Sequence, residues 1–142
     1  MTRNTTFLAI AIACIFSCKQ IGIRYTKYDP GLCYRIVKHG DGRAILHGEV
    51  MLLHMKQTYR DSLLNDNTDS IPFYQVHDSL KLSKAAYFLF SKVAKGDSII
   101  FKALTDSVFK HSLPPFVRRG EWMYTHVYVK DVMPVGYKYE KE

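Results

Sequence analysis

One segment of this chain has the apolar spacing of an amphipathic helix, and strand-like segments lie on both sides of it. Asp78 or Ser79 can cap this helix, which is predicted to run to about Ala94. Gly96 follows as a C-terminal glycine. With a single helix among strands, the chain is predicted to form an α+β domain in which the helix covers one face of a sheet.

The predicted strands carry apolar residues at alternate positions, which is typical of half-buried strands. They cover residues 32–37, 50–55, 72–76, 98–104 and 121–133, so the sheet is predicted to have about five strands. Residues 61–70 are dense in Asp, Asn and Ser and are predicted to be a loop. Residues 105–120, which contain two consecutive prolines, are predicted to be a second, longer loop.

The N-terminal segment is predicted to be a targeting signal rather than part of the fold. Residues 7–16 are ten consecutive apolar residues, too few to span a bilayer, which takes about 20, but typical of a secretory signal. The run ends at Ser17-Cys18, with Ile15 three positions before the cysteine, and this resembles a bacterial lipobox. The prediction is a lipoprotein signal peptide at 1–17 and a lipid on Cys18. The alternative is an ordinary signal peptide with Cys18 as an incidental thiol.

These assignments divide the mature chain into the lipidated Cys18 with a polar tether (18–29), a domain (30–134) and a tail (135–142). Cys33 is then the one thiol of the domain, so no intramolecular disulfide is predicted. The sequence has 20 Lys and Arg against 13 Asp and Glu, but the basic residues are scattered, and no nucleic-acid partner is predicted. The histidines show no metal-ligand spacing and there is no glycine-rich nucleotide loop, so no metal or cofactor is predicted.

Several short motifs occur in an order that resembles the FKBP-type peptidyl-prolyl isomerases. Gly31–Val37 is similar to the opening strand of that family, and residues 39–42 (HGDG) to the turn after it. Residues 92–98 (KVAKGDS) follow the family's exit from its helix into the next strand, and Leu113-Pro114-Pro115 resembles its flap. The resemblance covers about residues 30–133, and the chain resembles in particular the bacterial gliding-motility lipoproteins of that family. It implies an FKBP-like antiparallel sheet of about five strands wrapped on one short α-helix.

The resemblance also implies a hydrophobic pocket for an X–Pro segment. Its walls are assigned to Met55, Leu64, Phe73, Leu82 and Phe90. The catalytic positions are assigned to Phe109, which stands at the family's rim tyrosine, and to Asn65 or Asp66 as the rim polar group. The alternative for Phe73, Leu82 and Phe90 is a plain core role. Met55 and Ala86 stand where the family has a pocket tyrosine and a floor tryptophan, so the site is degenerate and its pocket is expected to be wider.

The function implied by the resemblance is weak peptidyl-prolyl isomerisation without a cofactor. Its partners would be proline-containing or unfolded polypeptides of the bacterial cell envelope. The protein is expected to be a monomer. The lipid on Cys18 would hold it at the periplasmic face of the membrane, with the outer membrane favoured because Lys19 and Gln20 follow instead of an aspartate. One alternative is a catalytically inactive FKBP-like lipoprotein that binds a partner of an envelope machine. Another is a carrier of an apolar small molecule.

Overall fold

Seven antiparallel strands form one sheet in the computed structural model, which describes residues 24–138. The strands are β1 (Thr26–Asp29), β2 (Leu32–Lys38), β3 (Val50–Tyr59), β4 (Ser62–Asp66), β5 (Phe73–Val76), β6 (Ser98–Leu104) and β7 (Trp122–Met133). Two short helices complete the fold, α1 (Lys84–Phe90) and α2 (Thr105–Val108). The predicted signal segment and Cys18 lie outside the described residues.

The sheet runs in the order β1-β2-β6-β7-β3-β4, and β5 pairs with the first half of β3 beside β4. The long central pair is β3 with β7, which runs from Val50 opposite Met133 to Tyr59 opposite Met123. Side chains of β7 are buried and exposed in alternation from Met123 to Lys130, because successive residues of a strand point to opposite faces. We call the buried face, which α1 covers, the inner face, and the opposite one the outer face.

The α+β class is confirmed, but the helix is shorter than predicted at both ends. Its N-cap is Ser83, whose hydroxyl accepts a hydrogen bond from the Ala86 amide at 3.1 Å. The Asp78 carboxylate instead accepts from the Leu80 amide at 2.8 Å, and this side-chain bond closes a turn before the helix. Leu80, which the predicted helix of residues 78–94 would include, lies before the helix and is 93% exposed.

The sheet has two strands more than the five predicted, because two polar segments also pair with it. Residues 26–29, assigned to the tether, form β1 against β2, and residues 62–66, assigned to a loop, form β4 against β3. Both are edge strands, so their polar side chains can face water and they lack the apolar alternation of a half-buried strand. The long loop after β6 contains the single turn of α2.

The inner face carries two separate cores. The main core lies under α1 and joins Leu89 and Val93 to Met51, Ile99 and Val127 of the sheet. The second core lies at the other end of the same face and consists of Tyr59, Val117 and Met123 with Leu64, Phe109 and Leu113 packed against it. The site described below lies on this same face. Within residues 24–138, neither helix is long and apolar enough to cross a bilayer.

Candidate functional site

A hollow of about 720 Å³ opens on the inner face between α1 and α2, and we call it the α1–α2 hollow. It is lined by Leu32 of β2 and by Phe101 and Ala103 of β6. Ala86 and Phe90 of α1 line it as well. All five side chains are apolar, so a ligand here would exchange water for hydrocarbon contact, which favours binding by about 25 cal/mol per Å² buried.

Small residues on the facing elements leave this space open. Ala85 and Ala86 of α1 line the hollow where larger helix residues would fill it, and Ala103 is the small residue contributed by β6. Gly31, in the turn between β1 and β2, allows α2 to approach closely, because a Cβ atom there would lie 2.7 Å from Ser107 Oγ. The hollow therefore depends on residues whose side chains are one carbon or none.

Polar groups also line the hollow. They are Asp29, Ser83, Asp106, Ser107 and Lys110. Both carboxylates already accept backbone hydrogen bonds at 2.8 Å, Asp29 from the Gly31 amide and Asp106 from the Gly120 amide. Carboxylates only accept hydrogen bonds, so the side-chain donors of the lining that could meet a carbonyl oxygen of a bound chain are the Ser83 and Ser107 hydroxyls and the Lys110 ammonium.

Of the eight pocket and catalytic residues predicted from the sequence, Phe90 alone lines the α1–α2 hollow. Met55 and Leu82, like Phe90, pack against the main core. Leu64 and Phe109 pack together against the second core. Phe73 lies on β5 and is 49% exposed. The residues predicted to form the pocket walls thus lie in three places, which are the two cores and an edge strand. That they form one pocket stays a prediction.

The predicted polar pair lies on the exposed edge of the sheet. Asn65 and Asp66 are exposed residues of β4 and neither lines the hollow. Asp66 accepts hydrogen bonds from the Thr68 hydroxyl and amide, and these bonds lower the pKa of its carboxyl below the ordinary value. The amide side chain that matters structurally is Asn67, whose Nδ2 donates to the Leu53 carbonyl at 3.3 Å.

The residues next to Phe109 are the ones that sequence reasoning missed. Val108 and Lys110 line the hollow, whereas the Phe109 ring packs against the second core. Val108 is 41% exposed, so an apolar side chain at the hollow is left open to water. The sequence does carry a signal for the opposite wall of the hollow, because the alanine pair Ala85-Ala86 leaves room beside α1 for another group.

Hydrogen bonds anchor the loop from Phe109 to Gly120 at its far end. Arg60 and the Tyr59 hydroxyl both donate hydrogen bonds to the Glu121 carboxylate. These bonds lower the pKa of Glu121 from 4.5 to about 2, and the bond from Arg60 has the larger effect. The Tyr59 hydroxyl in turn accepts from the Arg118 amide at 2.9 Å. The loop is therefore tied to the end of β3 beside the second core, and this connection sets where α2 meets the hollow.

The lining of the hollow combines apolar and polar side chains. Its lining contains no cysteine or histidine, and within residues 24–138 no cluster of metal-ligating side chains occurs. Cys33 is a free thiol outside the lining. An apolar hollow bordered by polar groups can desolvate and orient a chain segment.

Comparisons with known proteins show the fold. No protein-family model matches the chain, and no curated protein matches it. The crystal structure of FkpA from Escherichia coli matches with a TM-score of 0.61 and 18% identity, over 78% of this chain and 52% of FkpA. The N-terminal domain of FKBP42 from Arabidopsis thaliana matches with a TM-score of 0.60 and 13% identity, over 78% of this chain and 93% of that one.

The chain thus spans about half the length of FkpA. At these identities the likeness shows the fold alone, which is a mostly antiparallel β-sheet with short helices of the FKBP-like kind. The predicted FKBP-like fold is confirmed.

Proposed function

We propose that this chain is a weak peptidyl-prolyl isomerase of the bacterial cell envelope and that the α1–α2 hollow receives the proline. The observation that carries the proposal is an open apolar hollow beside the helix of an FKBP-like fold. Its volume, about 720 Å³, falls within the range of small-ligand sites, roughly 300–1,000 Å³, and is ample for a proline ring with its neighbours.

The mechanism needs no nucleophile. Rotation about a peptide bond has a barrier of about 20 kcal/mol, because twisting breaks the amide resonance. The twisted bond has less charge separation than the planar one, so an apolar surface such as Phe101 and Leu32 favours it over the planar form. Binding the twisted state more tightly than the planar state is catalysis by differential binding. Ser107 and Lys110 would hold a carbonyl of the peptide while the bond turns.

Weak activity follows from the width of the hollow. Ala86 leaves space beside a bound proline ring. A proline ring that can shift in this space contacts fewer atoms of the hollow when the X–Pro bond is twisted than a tightly held ring would. The side of the ring that faces the gap has almost no dispersion attraction, because this attraction falls steeply with distance. The proposed enzyme therefore binds X–Pro segments loosely and accelerates their isomerisation little.

A second candidate is a non-catalytic binding module for a partner of an envelope machine. The same observation favours it, because a wide hollow accepts a bulkier apolar side chain than proline. In that case the protein would bind peptides without changing the rate at which their X–Pro bonds turn.

One pair of variants separates these functions. Phe90→Ala removes an aromatic wall of the hollow, and Phe88→Ala removes the same group from the same helix where it packs on Tyr28 and Tyr34 instead. Isomerisation of X–Pro peptides is followed by NMR exchange, and peptide binding by titration. We expect acceleration and binding by the wild type, loss of both in Phe90→Ala, and retention in a folded Phe88→Ala.

Binding without acceleration would favour the second candidate. A folded wild type that neither binds nor accelerates would refute both. Comparison with Phe109→Ala then shows whether the second core contributes to the site.

The envelope location is part of the proposal, with Cys18 as the lipid anchor and the outer membrane as the site. Its support is the lipobox-like end of the apolar run at residues 7–16. Mass spectrometry of the membrane fraction tests it directly. We expect a mature chain that begins at Cys18 and carries acyl groups, and a chain that begins elsewhere would refute the anchor.

A further inference from the structure

The outer face of the sheet carries aromatic rings and unpaired cations. Its outward positions on β2, β6 and β7 include Cys33, Arg35, Val37, Ile100, Lys102, Leu104, Trp122, Tyr124, His126 and Tyr128. These ten positions include no acidic side chain, and the carboxylates of the same face, Asp66 and Asp131, lie at its margin. Tyr124 and Tyr128 are each 39% exposed and Val37 is 46% exposed, so the face has open apolar area as well as charge.

The cations of this face contact aromatic rings instead of carboxylates. Lys102 Nζ lies 4.8 Å from the ring centre of Tyr25 and 4.7 Å from that of Trp122. Arg35 Cζ lies 5.7 Å from the Tyr25 ring. Two more lysines flank this group, Lys27 opposite Cys33 on β1 and Lys56 opposite His126 on β3. None of these four cations lies within ion-pair distance of a described carboxylate, although Lys56 stands opposite Asp66 of β4.

We propose that the outer face docks on an anionic lipid surface. Tyrosine and tryptophan prefer the boundary between lipid and water, where the ring is dehydrated and the polar atom stays wet. Lysine and arginine near an anionic leaflet are attracted by its negative surface potential. The outer face combines both groups around Lys102, and its acidic side chains, Asp66 opposite Lys56 and Asp131 opposite Leu52, lie at its margin.

The path of the chain favours lipid over other anionic partners. Tyr25 lies on the outer face and is seven residues after Cys18. Even fully extended, seven residues span at most about 25 Å. With a lipid on Cys18, the outer face therefore stays within about 25 Å of the bilayer, where it meets headgroups at high local concentration. This step rests on the anchor of the proposed function and is independent of isomerase activity.

The protein contains its own probe, because Trp122 is its single tryptophan and lies on this face. The full chain is purified from membranes and reconstituted into vesicles of phosphatidylcholine, with or without phosphatidylglycerol and with brominated acyl chains. We expect Trp122 fluorescence to be quenched in the anionic vesicles and little changed in the zwitterionic ones. Quenching should fall as salt rises from 0.1 to 1 M, since the Debye length shrinks from about 10 to about 3 Å.

A charge-matched pair of variants tests the face itself. Lys27→Ala with Lys56→Ala removes two exposed cations from the outer face, and each loss should lower the ratio of docked to undocked protein about fivefold. Lys81→Ala with Lys84→Ala removes two exposed cations at the start of α1, on the other side of the sheet, and should leave the quenching unchanged.

Three results would overturn the inference. The first is equal quenching with and without anionic lipid. The second is equal loss in the two double variants. The third is a change in Trp122 emission caused by single-stranded oligonucleotide or polyglutamate but not by anionic lipid. Mass spectrometry of the same sample separates the two proposals, because an unacylated Cys18 refutes the anchor, whereas an acylated chain with unquenched Trp122 refutes only the docking.

Discussion

Ala86→Trp tests most directly whether the α1–α2 hollow is open in solution. Ala86 lines the hollow from α1, and the helix backbone there is already capped by Ser83. An indole at this position has about 720 Å³ of space to enter. The added ring should therefore bury itself without displacing a neighbour, unlike an insertion into a packed core.

The expected gain is about 1 kcal/mol of unfolding free energy. An aromatic side chain buries about 200 Å² when enclosed, and in an open hollow about half of that is removed from water. At about 25 cal/mol per Å² this contributes about 2.5 kcal/mol. Ordering the side chain costs about 1 kcal/mol, and the lower helix propensity of Trp costs about 0.5 kcal/mol. The remainder corresponds to a rise in Tm of about 4 °C for a domain of this size.

Urea unfolding of the wild type, Ala86→Trp and a control variant measures this change. The control is Ala94→Trp, because Ala94 is 9% exposed and does not line the α1–α2 hollow. Overpacking there should cost about 1–3 kcal/mol. We expect the midpoint to rise for Ala86→Trp and to fall for Ala94→Trp, with similar slopes. Equal destabilisation by both would refute the open hollow.

The same variant bears on the proposed function. Filling the space beside the proline ring should raise kcat/KM for X–Pro peptides, since the ring would then contact the wall on both sides. Higher stability with isomerisation below that of the wild type would contradict the view that excess width limits the activity.

Three further predictions concern the elements that hold the site. Hydrogen bonds from Arg60 first, and then from a tyrosine, lower the Glu121 pKa to about 2, so this carboxylate stabilises the fold above its ordinary pKa of 4.5. That stability should be lost as pH falls from 4.5 to 2 in the wild type, and urea titrations should show a smaller loss for Glu121→Gln. Asn67→Ala removes hydrogen bonds between β3 and the chain after β4, and it should lower the unfolding free energy by roughly 1–3 kcal/mol. As a control, Asn65→Ala at an exposed position should change the unfolding free energy by no more than about 0.5 kcal/mol. Gly96→Ala should lower the unfolding free energy measured in urea by at least about 1 kcal/mol, because Gly96 has a φ of +85°. An unchanged midpoint for Asn67→Ala or Gly96→Ala would contradict these assignments.

The sequence predicts best those strands that have one buried face. Ser98–Leu104 is β6 as predicted, and β7 differs by one residue at its start, because both carry apolar side chains at alternate positions. The edge strands β1 and β4 escaped prediction for the same physical reason. An edge strand is held by hydrogen bonds to one neighbour, and a mostly exposed one such as Thr26–Asp29 leaves no apolar period in the sequence.

The site was harder to predict than the fold because it depends on side-chain direction. The order of motifs located the turn after β6, which borders the hollow. Within that turn, however, a shift of one residue decides whether a side chain meets the hollow or the second core. Phe109 turns toward Tyr59 and Met123, and Val108 takes the position at the hollow. Motif similarity between distant sequences does not fix the register to one residue in a loop.

The edge formed by β1 and β2 connects the proposed site to the proposed membrane surface. Asp29 and Gly31 line the hollow, and Tyr25, four residues before Asp29, lies on the outer face beside Lys102. The sheet therefore separates the two, with the hollow on the inner face and the cations on the outer one. A chain anchored through Cys18 and docked by its outer face would turn the hollow away from the lipid. Such an orientation suits clients that approach from the aqueous compartment, and it predicts that peptides tethered to the membrane by short linkers reach the hollow less readily than free ones.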